Sequence, residues 1–237
     1  MADNDYSYLD SVLYEYFKDR PDFSPSIKAK HAVKRTLDVL IGTAGLVIAS
    51  PLIATMSLMT LYDSGRPAFF KQERIGYNGK HITIYKIRVM HNGTDEKVSN
   101  GKLTISDIYH GSHNHVYTKI GKILDRTHIN ELPQLWNVIK GEMSLVGNRP
   151  LPLYTYEKLI DVPGFIERYE SKPGLVGYSQ LRPKFEHGSQ EIIDEEKRYS
   201  QIYSKGNVLA EDMGIMFKTI KMYCRLCVPK KYNDIAA

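Results

Sequence analysis

Cysteine is nearly absent from this chain: of 237 residues only Cys224 and Cys227 carry a thiol. Two thiols three residues apart cannot staple a domain of this size, which excludes a disulfide-built secreted scaffold. The Cys-x-x-Cys spacing is a redox or half-zinc motif in other settings. No second pair of ligands accompanies it here, and the surrounding pattern is that of an amphipathic helix. We read both as plain thiols in a reducing cytosol. Tryptophan is rarer still, with Trp136 alone. We expect no cleavable signal peptide, because the first 25 residues are acidic and lack an apolar core. No internal repeat or low-complexity tract stands out. The last absence is of charge itself, which disappears from Val39 to Tyr62.

That uncharged run of 24 residues is long enough to span a bilayer as a helix. Two features argue against a simple crossing. Ser50-Pro51 sits at its middle, where proline removes a helical hydrogen bond. Both flanks are basic, with Lys28, Lys30, Lys34 and Arg35 before it and Arg66, Lys71 and Arg74 after it. Basic residues mark the cytoplasmic side, so two basic flanks place both ends on one side. We expect a re-entrant membrane helix over 28–65, broken at Ser50-Pro51, with the Ser50 hydroxyl supplying one of the partners that Pro51 removes. A spanning helix and a buried core helix are the alternatives. Asp38 follows Lys34 by one helical turn and suggests an ion pair with Lys34 or Arg35.

The net charge of +5 is uneven: residues 1–25 carry −4 and the rest +9. A basic body suits anionic partners such as nucleic acid, anionic lipid or phosphorylated substrates. No reading helix or base-stacking motif accompanies the charge, so nucleic acid is not expected. The 17 tyrosines suit membrane interfaces and nucleotide bases. Residues 1–27 form an acidic, tyrosine-rich extension that could pack on the body, meet a partner or stay disordered. Residues 66–237 read as one cytoplasmic domain. In it, Ala68–Gln72 and His81–Lys86 predict a hairpin around the Gly76 to Gly79 turn. Helices are expected from Thr118, over Ile129–Val138, over Asp194–Tyr203 and over Asp212–Tyr223. Leu132, Leu135, Trp136 and Ile139 fall at helical spacing and read as core. Met213, Met216, Phe217 and Ile220 form an apolar side that either packs inward or lies on a membrane. His91, His110, His113 and His115 match no metal-ligand spacing and read as a surface loop. The fold class expected is α+β: mostly helical, with a small hairpin, the re-entrant helix and amphipathic interfacial helices.

The chemistry is concentrated in 130–150, Asn-Glu-Leu-Pro-Gln-Leu-Trp-Asn-Val-Ile-Lys-Gly-Glu-Met-Ser-Leu-Val-Gly-Asn-Arg-Pro. Glu131 is a hard-metal ligand type and Arg149 a phosphate fork, so the pair points to a metal–phosphate substrate. A second run, Phe70-Lys-Gln72-Glu-Arg74-Ile-Gly76-Tyr-Asn-Gly79, precedes it. With Lys86-Ile-Arg88-Val-Met90 and Pro173-Gly-Leu-Val-Gly177 these segments follow, in order, the motifs of the bacterial sugar transferases, the monotopic phosphoglycosyl transferases. The resemblance covers about Lys34 to Gln180, and five ordered motifs make it specific.

The resemblance implies a UDP-sugar donor, a polyprenyl (undecaprenyl) phosphate acceptor, Mg²⁺ and membrane lipid as partners. It implies work at the cytoplasmic face of a bacterial inner membrane, in surface polysaccharide assembly; a homo-oligomer is left open. In the family an Asp carboxylate attacks the β-phosphate and expels nucleoside monophosphate, while the adjacent Glu binds the metal. By position, Glu131 is the metal ligand. Arg74, Lys86, Arg88, Arg126 and Arg149 line the anionic site, and Lys34, Arg35, Asp38, Ser50 and Pro51 belong to the membrane segment. The nucleophile's position holds Asn130, whose amide cannot form an acyl phosphate. Leu124-Asp125 also departs from the family's Leu-Arg. An engineered trap, a naturally silent homologue that binds substrate or scaffolds a partner, and attack by Glu131 or Asp125 are the three accounts this leaves.

Overall fold

The computed structural model describes residues 7–99, 116–182 and 189–227; His110, His113 and His115 lie outside them. Its first element, α1 (Ser7–Phe17), precedes the dominant one, α2 (Pro25–Ser64), which is 40 residues long. Proline in the first turn of α2 leaves no donor wasted, since those N–H groups have no helical partner. Helical structure continues through Ser50-Pro51, so the expected break is a proline inside one helix and not a gap between two. The reason is local. Pro51 cannot donate to the carbonyl four residues back, and the Ser50 hydroxyl donates to that same Val47 carbonyl at 2.8 Å. Only 11% of the most apolar window of α2 is buried, so most of that window does not pack into the core of the described residues. Leu40, Val47, Ile48, Leu58 and Tyr62 all stand exposed.

The N-terminal arm of α2 is tied to the body by buried polar groups. Lys34 donates to Asp212 at 2.5 Å and to the Val146 carbonyl at 3.3 Å, while Asp38 stands 4.0 Å away. The expected Lys34–Asp38 pair is therefore the weaker contact. Asp38 instead accepts from the Ser144 hydroxyl (2.8 Å) and the Leu145 N–H (3.1 Å). Arg35 donates to the Val138 and Ile139 carbonyls, closing the end of a short helix. The C-terminal arm is held as well: Asp63 accepts from the Ile120 N–H at 2.9 Å.

In the body, β1 (Phe69–Ile75) and β2 (His81–Ile87) form the expected antiparallel hairpin, with Phe70 opposite Lys86. Asn78 and Gly79 take positive φ at its tip. A short helix α3 (Thr94–Ser99) and then α4 (Lys119–Thr127), capped by the Thr118 side chain, follow. A 3₁₀ segment (Ile129–Gln134) leads directly into α5 (Leu135–Lys140), so the predicted helix over 129–138 has a tighter first half. Next come β3 (Ser144–Val146), α6 (Leu153–Leu159) and β4 (Gly174–Val176). The helices α7 (Gln190–Ser204) and α8 (Val208–Cys227) complete the order. β3 and β4 pair in parallel. A side chain at Gly174 would meet the Gly147 backbone nitrogen at 2.1 Å, so two separate glycine motifs are fitted against each other.

One core cluster joins Leu9 and Leu13 of α1 to Ile75, Tyr156, Phe165, Tyr169 and Ile193. The described part of the N-terminal extension thus packs on the domain. Trp136 departs from expectation. It is 50% exposed, while Leu135 and Val138 on the same helix are buried. The 3₁₀ start shifts the phase of the segment and turns Trp136 out of the core. On α8, Asp212, Ile215 and Thr219 face inward, leaving Met213, Phe217 and Ile220 exposed.

Candidate active site

The end of β2, the 3₁₀ segment and the loop after β3 deliver three side chains to one point. Lys86, on β2, donates to Glu131 Oε1 at 2.7 Å; Arg149, beyond β3, donates to the same oxygen at 2.9 Å. His128 makes this possible by taking a left-handed conformation (φ 57°) that ends α4 and starts the 3₁₀ turn carrying Asn130 and Glu131. All three side chains are largely buried. Burial alone would raise the Glu131 carboxyl, but Arg149 and Lys86 outweigh it and hold it well below the usual carboxylate range. Lys86 moves the other way. Burial, helped by the Arg149 and Arg74 guanidinium groups, pushes its ammonium down to about 8 against the pull of Glu131.

Arg74 belongs to the rim of this cluster. It donates to the Pro150 carbonyl at 2.6 Å and to Gln72, steadying the loop that carries Arg149. Arg88 stands apart from the site. Its guanidinium donates to the carbonyls of Ser64, Gly65, Pro67 and Met90, which makes it the clasp on the C-terminal end of α2. Arg126 is exposed on the last turn of α4. Of the five cations chosen from sequence, three converge and two do not.

Asn130 is 4% exposed, and its Oδ1 is buried with no hydrogen-bond partner. Such an orphan acceptor is costly in a folded interior. Among the described residues no three His, Cys, Asp or Glu side chains gather into a metal cluster. A Mg²⁺ ion needs less, because it uses one or two protein oxygens and completes its shell with phosphate oxygens and water. The Glu131 carboxylate and the orphan Asn130 oxygen fit that demand.

Sequence reasoning missed the support behind Arg149. Asn148 is buried, and its amide nitrogen lies 3.0 Å from the Arg168 carbonyl, the Glu196 carbonyl and the Ser200 hydroxyl. Arg168 donates to the Arg149 carbonyl at 2.8 Å and pairs with Glu196 at 2.9 Å, both side chains almost wholly enclosed. Nothing local marks these residues; the fold alone brings them together.

The family model for the bacterial sugar transferases matches residues 29–225. The exopolysaccharide production protein PSS of Rhizobium leguminosarum bv. phaseoli is 33% identical over 195 residues, covering 79% of this chain and 93% of that one. Exopolysaccharide production protein ExoY of Rhizobium meliloti is 31% identical over 198 residues, 81% of this chain and 85% of its own. The UDP-glucose:undecaprenyl-phosphate glucose-1-phosphate transferase of Klebsiella pneumoniae is 32% identical over 192 residues, 79% of this chain but 39% of that longer protein. With most of its length matched and its motif residues gathered around Glu131, the chain belongs to the bacterial sugar transferase family.

Proposed function

We propose that this chain is a phosphoglycosyl transferase that moves a sugar 1-phosphate from a UDP-sugar to undecaprenyl phosphate. It would act at the cytoplasmic face of a bacterial inner membrane, early in surface glycan assembly. The observation that carries this reading is the convergence of Lys86 and Arg149 on Glu131, beside the nucleophile position. Cations outnumber the carboxylate there, and an excess of buried positive charge suits a diphosphate. Arg149 offers a planar fork to phosphate oxygens, and Lys86 a compact charge. Glu131 with the Asn130 oxygen would hold Mg²⁺, whose chemistry is to neutralise the diphosphate.

The same reading includes re-entry of α2. Asp38 and Asp63, at the two ends of the uncharged run, are both bound to one body, at Ser144 and Ile120. A helix that crossed a bilayer core of about 30 Å would carry them to opposite faces. One body outside the membrane could not then bind both. The exposed Met213, Phe217 and Ile220 on α8 support an interfacial seat beside it.

Asn130 sets the condition for turnover, since a carboxylate there would form the phosphorus–oxygen bond as the bond to nucleoside monophosphate breaks. The test is release of nucleoside monophosphate by nanodisc-held native protein and by Asn130→Asp, with Mg²⁺, polyprenyl phosphate and a panel of UDP-sugars. Release by either form supports the reading, and release only by the variant locates the block at one side-chain atom. Silence from both forms across the panel overturns it in favour of a binding or scaffolding role.

A further inference from the structure

We infer that Trp136 and the adjoining surface of α2 form the subsite for the first isoprene units of the lipid-phosphate acceptor. This rests on the transferase reading and adds to it a place for the acceptor's chain. Trp136 is the single tryptophan of the protein and half exposed. It lies five residues beyond Glu131, roughly 9 Å of helical rise from the anionic cluster. Its neighbours on α5 are committed elsewhere. Leu135 and Val138 are buried. Asn137 donates to the Thr83 carbonyl of the hairpin at 2.6 Å.

The face of α5 beside Trp136 meets α2 at two glycines. A methyl at Gly42 would stand 3.3 Å from Val138, and one at Gly45 would stand 3.5 Å from Leu135. On either side of those glycines α2 exposes Leu40, Ile41, Val47 and Ile48. An apolar surface of the long helix is thereby brought up to α5, which continues the segment carrying Glu131, and the half-exposed Trp136 is the next residue after Leu135 on that short helix. A polyprenyl phosphate has the matching division, an anionic head and an apolar branched tail. Its head needs the Lys86–Arg149 cluster, and its tail must leave that cluster along an apolar route into the bilayer. Indole rings favour that boundary.

The lone tryptophan supplies its own probe. Native protein in phosphatidylcholine nanodiscs is titrated with bromine-labelled polyprenyl phosphate, and the quenching of Trp136 fluorescence is followed. Saturable quenching is expected, reversed by unlabelled polyprenyl phosphate and not by unphosphorylated polyprenol. Trp136→Leu should weaken retention of radiolabelled polyprenyl phosphate about tenfold, the scale of losing an aromatic anchor. Trp136→Phe, which keeps a ring, should restore most of it. Quenching that never saturates and matches that by dibrominated phosphatidylcholine would mean contact with bulk lipid, and would overturn the subsite. So would unchanged retention in Trp136→Leu. UDP binding in the same nanodiscs tests the transferase reading separately. UDP binding without saturable quenching defeats the subsite alone, and loss of both defeats both.

Discussion

The Ser50 hydroxyl donates at 2.8 Å to the carbonyl of Val47, the one carbonyl that Pro51 deprives of its helical donor. A proline inside a helix costs about 3 kcal/mol, part of it from the missing hydrogen bond. In hydrocarbon no water can replace that bond, so the serine and the proline work as a pair. Ser50→Ala should destabilise the membrane segment by about 1 kcal/mol, while Pro51→Ala in the same background should recover it. A thermal melt in nanodiscs reads both, and equal melts for all three forms would show that the pairing carries no energy.

Glu131 is held by two cations, Lys86 and Arg149. Glu131→Gln should abolish Mg²⁺-dependent release of nucleoside monophosphate in the Asn130→Asp background, by at least about a hundredfold. Activity surviving that change would remove Glu131 from the metal assignment.

Lys86 gives the site a pH dependence of known sign. Its ammonium sits at about 8. Binding of UDP should weaken as pH rises from 7 to 9, because the charge that meets phosphate is lost across that interval. Lys86→Arg, which stays charged, should flatten the profile. Folding responds in the opposite sense. The unfolded chain keeps its proton on Lys86 up to about 10.5. Between 8 and 10.5 the unfolded state therefore binds more protons, and the native state gains stability from this group as pH rises. Isothermal titration with UDP and a melt, each at a series of pH values, separate the two effects.

The enclosed Arg168–Glu196 pair underlies the Arg149 backbone. Breaking a buried pair from one side leaves an uncompensated charge and costs about 3–5 kcal/mol. Arg168→Met and Glu196→Met should each be strongly destabilising, and the double variant should be milder than either. If the pair also positions Arg149, the double variant should fold and still bind UDP more weakly. Chemical denaturation and UDP titration of the three forms give the answer.

Leu13 is 3% exposed in α1, a helix that precedes the family-matched region. Leu13→Ala should cost about 2–5 kcal/mol, as for any well-packed core leucine. A change below about 0.5 kcal/mol would mean that α1 rests on the domain without supporting it.

Hairpin, helices and the long apolar helix were legible because each has a local cause: alternation in β1 and β2, period in α7 and α8, absence of charge in α2. The cluster at Glu131 was legible through its ordered motifs, which named Lys86, Arg74 and Arg149. Arg88 shares a motif with Lys86, yet two residues along a strand return it to the same face only if the strand continues. β2 ends at Ile87, and Arg88 turns to the carbonyls of Ser64 and Gly65 instead. Trp136 was misplaced because a regular helix was assumed where the chain starts with a 3₁₀ turn. Asn148, Arg168 and Glu196 were invisible for another reason. A buried polar group is defined by its partners, and those lie 19 to 52 residues away in sequence.

Lys34 paired with Asp212, and Arg35 clasping the end of α5, tie the N-terminal arm of α2 to the body. If α2 is seated in a bilayer as proposed, its immersion depth and the height of Glu131 above the lipid phosphates become a single mechanical coordinate. Bilayer thickness should act on such a molecule as a throttle: a membrane a few ångströms thinner or thicker would alter how often a lipid head meets the cluster, with every residue of the site unchanged.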